Sequence, residues 1–239
     1  MAELDGPPHD LPRLIEVLDR HGVEYLIVGG AAAFAYGAER STEDADCVVR
    51  RERANLDRLA AALRELHARL RVGGMTDAEA RMLPVQIDAT ALDMAGMTTW
   101  MTDAGPFDVL AGLEAPDGRL VPYEELANRA TVLRGDGFMI RAGSLEDIIG
   151  AKERADRAKD REALPELRAL RDAWAGGNVP SSQDLVIAPR LPVPESPREA
   201  RSNRVRASCR SQSLDRPTAV SADPLAGLSA HGGLLFPWP

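Results

Sequence analysis

Lysine is nearly missing from this chain: of 29 basic residues only two, Lys152 and Lys159, are lysines. Cysteine is equally scarce, at two in 239 residues. Cys47 and Cys209 lie in stretches of very different composition, so they predict neither a disulfide framework nor a zinc site. A reducing cytoplasm is the setting expected of such a chain. No apolar run approaches the ~20 residues that a membrane-spanning helix requires. The start, Met1 to Asp5, is acidic and lacks the basic-then-apolar order of a secretory signal. A membrane is therefore not expected among its partners.

The composition that remains, 44% apolar and 28% charged, is that of a globular protein, and 239 residues allow one large domain or a domain with an appendage. The net charge of −8 is uneven: from Ala175 onward seven arginines face five acids, a surplus of +2, so residues 1–174 carry −10. Broad, non-specific nucleic-acid binding depends on neutralising phosphates and does not suit that core, although a local basic strip remains open. Both lysines fall seven positions apart in one segment. A high-GC genome accounts for arginine elsewhere but not for this placement. Either they are chance survivors on a solvated helix, or a compact ammonium is needed there.

Leu11, Leu14, Ile15 and Leu18 recur at helical spacing behind a possible cap at Asp10, which predicts a helix over 11–20. Tyr25–Val28 predicts a strand that Gly29-Gly30 stops, followed by a short helix over Ala31–Tyr36 and a second strand over Ala45–Val49. Leu56, Leu59, Leu63, Leu66 and Leu70 form one helical stripe. Val85–Ala89, Thr98–Thr102 and Phe107–Leu110 read as strands, Pro116-Asp117-Gly118 as a turn, and Tyr123–Ala130 as a helix. Strands around Val132 and Met139-Ile140 flank Gly135-Asp136-Gly137. Ser144, with Asp147 three residues on, caps a helix over 145–158. A last helix carries Leu164, Leu167, Leu170 and Trp174, with Pro165 in its first turn, where proline is tolerated. Beyond it, residues 175–239 hold nine of the 17 prolines and no apolar period, and are expected to be a disordered Pro/Ser/Arg-rich tail. Its end, Leu234 to Trp238, is either a short docking motif or an unselected extension.

Asp44 and Asp46, one residue apart on a strand, project to the same face. Two such anions repel unless a cation lies between them or one takes up a proton. Magnesium suits them, since it takes one or two carboxylates together with substrate phosphates. Asp108, in the apolar setting of Phe107 and Val109-Leu110, is the best candidate for a third carboxylate. Gly29-Gly30 is either a tight turn or a place where backbone approaches a phosphate.

The stretch Tyr25–Val49, with its strand, Gly29-Gly30, short helix and Thr42-x-Asp44-x-Asp46, resembles the nucleotidyltransferase-like proteins of the polymerase-beta superfamily. It looks like the branch holding AbiEii-type and related mycobacterial toxins of type IV toxin–antitoxin systems. Ser144–Leu167, with Lys152 on one helix and Arg157-x-Lys159-Asp160 before the next, resembles that branch's C-terminal motif. The likeness covers roughly residues 10–174. It implies a mixed α/β nucleotidyltransferase core over 1–135 and a small helical segment over 136–174, and covers none of the tail over 175–239.

Carried over by position, the resemblance gives Gly29, Gly30 and Thr42 to the nucleotide and Asp44, Asp46 and Asp108 to magnesium. Lys152 would contact the triphosphate, and Asp160 matches a position needed for activity. Ala31 stands where many relatives have serine, and Cys47 where a large aliphatic residue is usual. The activity implied is transfer of a nucleoside monophosphate from an NTP to a hydroxyl, with Asp108 also able to accept the hydroxyl proton. A tRNA 3′ end is the acceptor the toxin branch implies, with a cognate antitoxin as partner. An aminoglycoside-type small molecule is the enzyme alternative, and a non-catalytic nucleotide-binding or antitoxin module is the other class. Arg50, Arg51 and Arg53, and Arg154, Arg157 and Arg161, are either acceptor-phosphate contacts or solvated faces. No histidine is expected at the site, His21 and His67 reading as surface residues.

Truncation after Ala175 is expected to leave the melting temperature and any transferase activity unchanged, because an aperiodic, proline-rich tail buries too little apolar surface to offset its ordering entropy. A large fall in melting temperature would instead show that Phe236 or Trp238 docks on the core.

Overall fold

The computed structural model describes residues 9–40, 42–134 and 138–177. Cys209, the tail from residue 178 with its terminal Leu234–Trp238, and the Gly135-Asp136-Gly137 turn lie outside the described residues. The architecture is a mixed α/β fold: helices pack on a seven-stranded sheet that contains both parallel and antiparallel pairs.

Helix α1, Leu11–Arg20, starts where the Asp10 side chain accepts a hydrogen bond from the Arg13 amide at 3.1 Å. It buries Leu14, Ile15, Val17 and Leu18 on one side. Strand β1, Tyr25–Val28, is buried at every position, as a central strand covered on both faces must be. Helix α2, Gly29–Ala35, takes the Gly29-Gly30 pair into its first turn rather than beginning at Ala31. Strand β2, Ala45–Val49, pairs antiparallel with β1.

Helix α3 spans Arg53–Glu65 and packs Leu56, Leu59 and Leu63 inward. The leucine stripe does not continue as helix: His67 turns the backbone to φ +47°, and Arg69–Leu70 become the short edge strand β3. Helix α4, Asp77–Arg81, is capped by Thr76 and Glu79. The strand expected over Val85–Ala89 is absent among the described residues. The Asp88 carboxylate instead accepts from the Ala91 amide at 2.8 Å and starts helix α5, Ala89–Met94.

Strands β4, Met97–Thr102, and β5, Gly105–Leu110, follow, then the small hairpin β6, Gly112–Glu114, and β7, Leu120–Pro122, around the expected turn. Helix α6, Tyr123–Ala127, is shorter than its composition implies. Strands β8, Thr131–Arg134, and β9, Met139–Ala142, pair antiparallel and complete the sheet order β3-β4-β5-β2-β1-β9-β8. Ser144 caps α7, Leu145–Ala155, which stops before 158 because Asp156 adopts the left-handed conformation. Helix α8 runs Ala158–Ala175 and carries Pro165 well inside it, not in its first turn. Pro165 is exposed there, so the carbonyl of Arg161 that loses its helical donor lies where water can reach it.

The two sheet faces are packed differently. Tyr25, Ile27, Cys47, Val49, Phe107 and Val109 join α1, α3 and α8 in the main core. Leu26, Val28 and Val48 point the other way and pack against Leu113, Val121 and Leu126 from β6, β7 and α6. That second face is less fully covered, and its polar end becomes the cleft described below. No helix of the described residues is long and apolar enough to cross a membrane.

Helix α8 is fastened at its far end by Trp174. The indole Nε1 donates to the Tyr36 carbonyl at 3.2 Å, and the rings meet edge to face at 5.1 Å. Tyr36 in turn donates its hydroxyl to the Gly143 carbonyl at 3.1 Å. Trp174→Ala is expected to cost roughly 2–4 kcal/mol in urea denaturation, and Trp174→Phe only about 1 kcal/mol, for the lost hydrogen bond. Equal stabilities for all three proteins would show that α8 is held elsewhere.

Candidate active site

The strand register collects the carboxylates. Asp46 is opposite Val28 on β1 and opposite Asp108 on the parallel strand β5. Paired residues share a face, and neighbouring strands lie about 4.8 Å apart, so Asp46 and Asp108 stand side by side. Asp44 lies in the bend just before β2, close enough for its charge to act on Asp46. Ala45 and Cys47, on either side of Asp46, are fully buried in the main core on the opposite face. Cys47 packs there as a small hydrophobe, its thiol pushed up by burial and by the charges of Asp46 and Asp108.

The glycine pair is in contact with these carboxylates. Gly29 adopts φ +60°, and a Cβ built on it would lie 2.1 Å from Asp46 Oδ2. A Cβ on Gly30 would lie 2.8 Å from Thr42 Oγ1. Thr42 itself donates to Asp44, its Oγ1 lying 2.9 Å from Asp44 Oδ1 and 3.0 Å from the Asp44 carbonyl. Gly29 and Gly30 thus leave room for the Asp46 and Thr42 side chains. This requirement holds with or without a phosphate nearby.

Crowding shapes the electrostatics. Burial, then the charges of Asp44 and Asp108, push the Asp46 carboxyl up to about 6, against the pull of Lys152 and Lys159. Asp108 is also raised, by burial first, with Asp44 adding to the shift and Arg71 and Lys159 opposing it. Asp160 behaves oppositely. Burial alone would raise it, but hydrogen bonds from Arg157 and Lys152 outweigh that and hold it below the usual carboxylate value. Its side chain is 0% exposed, 3.2 Å from Lys152 Nζ and 2.5 Å from Arg157 Nε.

These groups line one cleft of about 1110 Å³. Asp46 and Asp108 come from the sheet, and Gly29, Gly30, Thr42 and Asp44 from the segment between β1 and β2. Lys152 and Arg154 from α7, and Arg157, Lys159 and Asp160 from the start of α8, make the facing wall with Arg40. At another part of the lining Met97, Leu110, Leu113 and Leu120 are apolar. All eight residues that the sequence marked for the site therefore border this one cleft.

Sequence reasoning missed two neighbours. Arg71 Nη2 donates to Asp108 Oδ1 at 3.2 Å, across 37 positions of chain that no local pattern connects. His9 is not among the residues lining the cleft, but it feels the field of Asp44, and its Nε2 is buried without a hydrogen-bond partner among the described residues. Burial lowers its pKa, while Asp44 and Asp10 oppose that shift. His21 and His67 are occupied away from the cleft, beside Glu65 at 2.6 Å and Asp103 at 2.7 Å.

Among the described residues no three His, Cys, Asp or Glu side chains are gathered closely enough to hold a metal ion together. The donor chemistry of Asp44 and Asp46 still fits magnesium, which takes as few as one or two carboxylates when phosphates complete its shell. The charge crowding at Asp46 is of the sign that a cation relieves.

No protein-family model matches the chain, and no curated protein does. Solved structures overlap it loosely. A lincosamide antibiotic adenylyltransferase, LnuA, bound to lincomycin is 13% identical, with a TM-score of 0.44 over 67% of this chain and 95% of its own. ANT(2'')-Ia in complex with adenylyl-2''-tobramycin is 18% identical, with a TM-score of 0.41 over 70% and 95%. A putative nucleotidyltransferase from Thermotoga maritima is 15% identical, with a TM-score of 0.39 over 67% and 96%. Overlaps this loose carry no argument about activity.

The raised Asp46 carboxyl has a consequence for stability. Between its ordinary value of 3.8 and about 6 the unfolded chain releases this proton while the folded chain keeps it, so stability falls as pH rises through that window. Asp46→Asn removes the cost. The variant is expected to be more stable than the wild type by about 2–3 kcal/mol at pH 8, with the gain vanishing below about pH 4. Urea denaturation across this pH range checks it, and a wild type that is the more stable protein at pH 8 would contradict it.

Proposed function

We propose that the chain is a magnesium-dependent nucleotidyltransferase that moves a nucleoside monophosphate from an NTP to an acceptor hydroxyl. The observation that carries this reading is one cleft in which Asp44 and Asp46 face Lys152, an ammonium tied to a fully buried carboxylate. Cation-binding acids beside a fixed cation are what a metal-bound polyphosphate needs.

Asp44 and Asp46 are the residues that would hold the ion, which when bound neutralises phosphate charge and polarises the phosphoryl group under attack. Lys152 neutralises the triphosphate, and Arg157 and Lys159 extend the same positive wall. Asp160 touches these cations and not the substrate: it is a positioning residue that fixes Lys152 and Arg157. Asp108 is the carboxylate available to take the acceptor's hydroxyl proton. Gly29 and Gly30 keep the backbone close to the carboxylates, where a phosphate can approach it.

Charge guides the choice of acceptor. Arg50 pairs with Glu24 at 2.9 Å, Arg51 donates to the carbonyls of Ala95 and Leu92, and Arg53 reaches Thr90, so this cluster is engaged in the fold. The cleft includes Glu43, Glu114 and Glu166 beside its basic wall, and its volume suits a nucleotide with a small partner. A small polar acceptor of aminoglycoside type is therefore the reading favoured. A tRNA 3′ end, as in a type IV toxin, is the second reading, supported by Arg157 and Arg161, whose side chains are 63% and 58% exposed at the turn between α7 and α8. A cognate antitoxin belongs to that second reading alone.

Incubation with each α-labelled NTP, offering total tRNA and an aminoglycoside panel in parallel, tests both readings. Label on either acceptor class supports transferase activity and selects between them. Absence of label with every NTP and acceptor would count against the proposal. Lys152→Arg is the informative variant. Lys152→Ala leaves Asp160 with one cation fewer and should also lower stability, because breaking a buried ion pair is costly. Lys152→Arg keeps the charge but replaces a point donor by a larger planar head. Transfer should fall at least ~10-fold, about 1.4 kcal/mol of transition-state stabilisation, with the melting temperature held. Full activity in Lys152→Arg would remove Lys152 from the substrate.

A further inference from the structure

The row of paired residues that brings Asp46 beside Asp108 continues to the edge of the sheet. Asp108 is opposite Thr99 on β4, and Arg71, the residue after β3, is locked to Thr99 from both sides. The Arg71 amide donates to the Thr99 carbonyl at 2.8 Å, and Thr99 Oγ1 donates to the Arg71 carbonyl at 2.7 Å. From that fixed backbone the guanidinium reaches over Thr99 to Asp108 Oδ1 at 3.2 Å. The Asp108 side chain is only 7% exposed and that of Arg71 29%, so the pair is sheltered on the carboxylate side and open on the arginine side.

A buried carboxylate calls for a cation, and here it already has one that never loses its charge. Guanidinium is also a poor neighbour for a second metal ion. Magnesium demands near-octahedral oxygen at 2.0–2.1 Å, whereas Arg71 presents only donors to the Asp108 carboxylate. Consistent with this, the described residues gather no three-carboxylate cage around Asp108. We infer that Arg71 occupies the place of a second cation beside Asp108, so that the centre takes one divalent ion, at Asp44 and Asp46, instead of two. Arg71 is a positioning residue: it keeps Asp108 turned to the acceptor side as a proton acceptor and out of the metal's shell.

This inference rests on the reading of the cleft as an NTP site, and the test separates the two. Bound Mn²⁺ per bound nucleotide is counted by electron paramagnetic resonance, with the full chain and a non-hydrolysable NTP analogue. The wild type should hold one Mn²⁺ per nucleotide. Arg71→Gln and Arg71→Ala should gain a second, bound at least ten times more tightly than any second ion in the wild type. Arg71→Lys, which restores a cation, should return to one. Thermal melts of all four proteins identify any variant that fails to fold, and Arg71→Gln keeps a polar side chain of similar reach for that reason. Two ions per nucleotide in the wild type, or one in folded Arg71→Gln, would overturn the role of Arg71 while leaving the NTP site standing. No bound Mn²⁺ and no bound nucleotide in any of the proteins would overturn the site itself, and the role of Arg71 with it.

Discussion

Like charge held in one place is the constraint around which this structure is organised. Asp46 and Asp108 share one sheet face because the strand register leaves them no alternative, and Asp44, in the bend just before β2, adds its charge beside them. In water such a trio would repel weakly; here burial first, and then the charges of Asp44 and Asp108, push Asp46 up to about 6. The compensation comes from three separate pieces of chain: Arg71 from the sheet edge, Lys152 from α7 and Lys159 from α8. The helical pair α7 and α8 is in turn joined by Asp160, whose buried carboxylate accepts from both. Its depressed pKa means that this junction contributes stability at neutral pH and weakens as pH falls into the acid range.

The segment from β1 to β2 was legible in the sequence because everything that forms it is local. A continuous apolar run, two glycines, a short alanine-rich helix and an alternating strand each leave a mark within a few residues. The same holds for α1 and for the Ser144 cap of α7. What the sequence concealed is what depends on distant partners. Leu70 sits in phase with the α3 stripe, yet it pairs with Trp100, because His67 has already turned the chain. Val85–Ala89 is apolar enough for a strand, but Asp88 is better used as a helix cap. Pro165 reads as a helix start and lies inside α8 because its exposed position makes the lost hydrogen bond tolerable.

The site divides in the same way. Asp44, Asp46, Gly29 and Gly30 announce themselves by spacing, and Lys152 by the rarity of lysine around it. From the sequence, Gly29 reads as a tight turn or a close approach to a phosphate, not as room for a neighbouring side chain. The structure supplies one, since Asp46 Oδ2 occupies the space a Cβ would need. Arg71 and His9 carry no local signal at all. The arginines after β2 show the opposite failure: a conspicuous basic run that the fold has used up in ion pairs and carbonyl contacts. Conspicuous charge in a sequence and available charge in a structure are different quantities.

If the carboxylates are crowded for the sake of a bound cation, their protonation should respond to one. Asp46 can be followed by its side-chain ¹³C carboxyl resonance through a pH titration, first alone and then with saturating Mg²⁺ and a non-hydrolysable NTP analogue. The account predicts a midpoint near 6 in the free protein, as its surroundings dictate, and a marked fall when ion and nucleotide are present. An ordinary carboxylate midpoint in the free protein, or a raised one that ion and nucleotide leave unmoved, would contradict it.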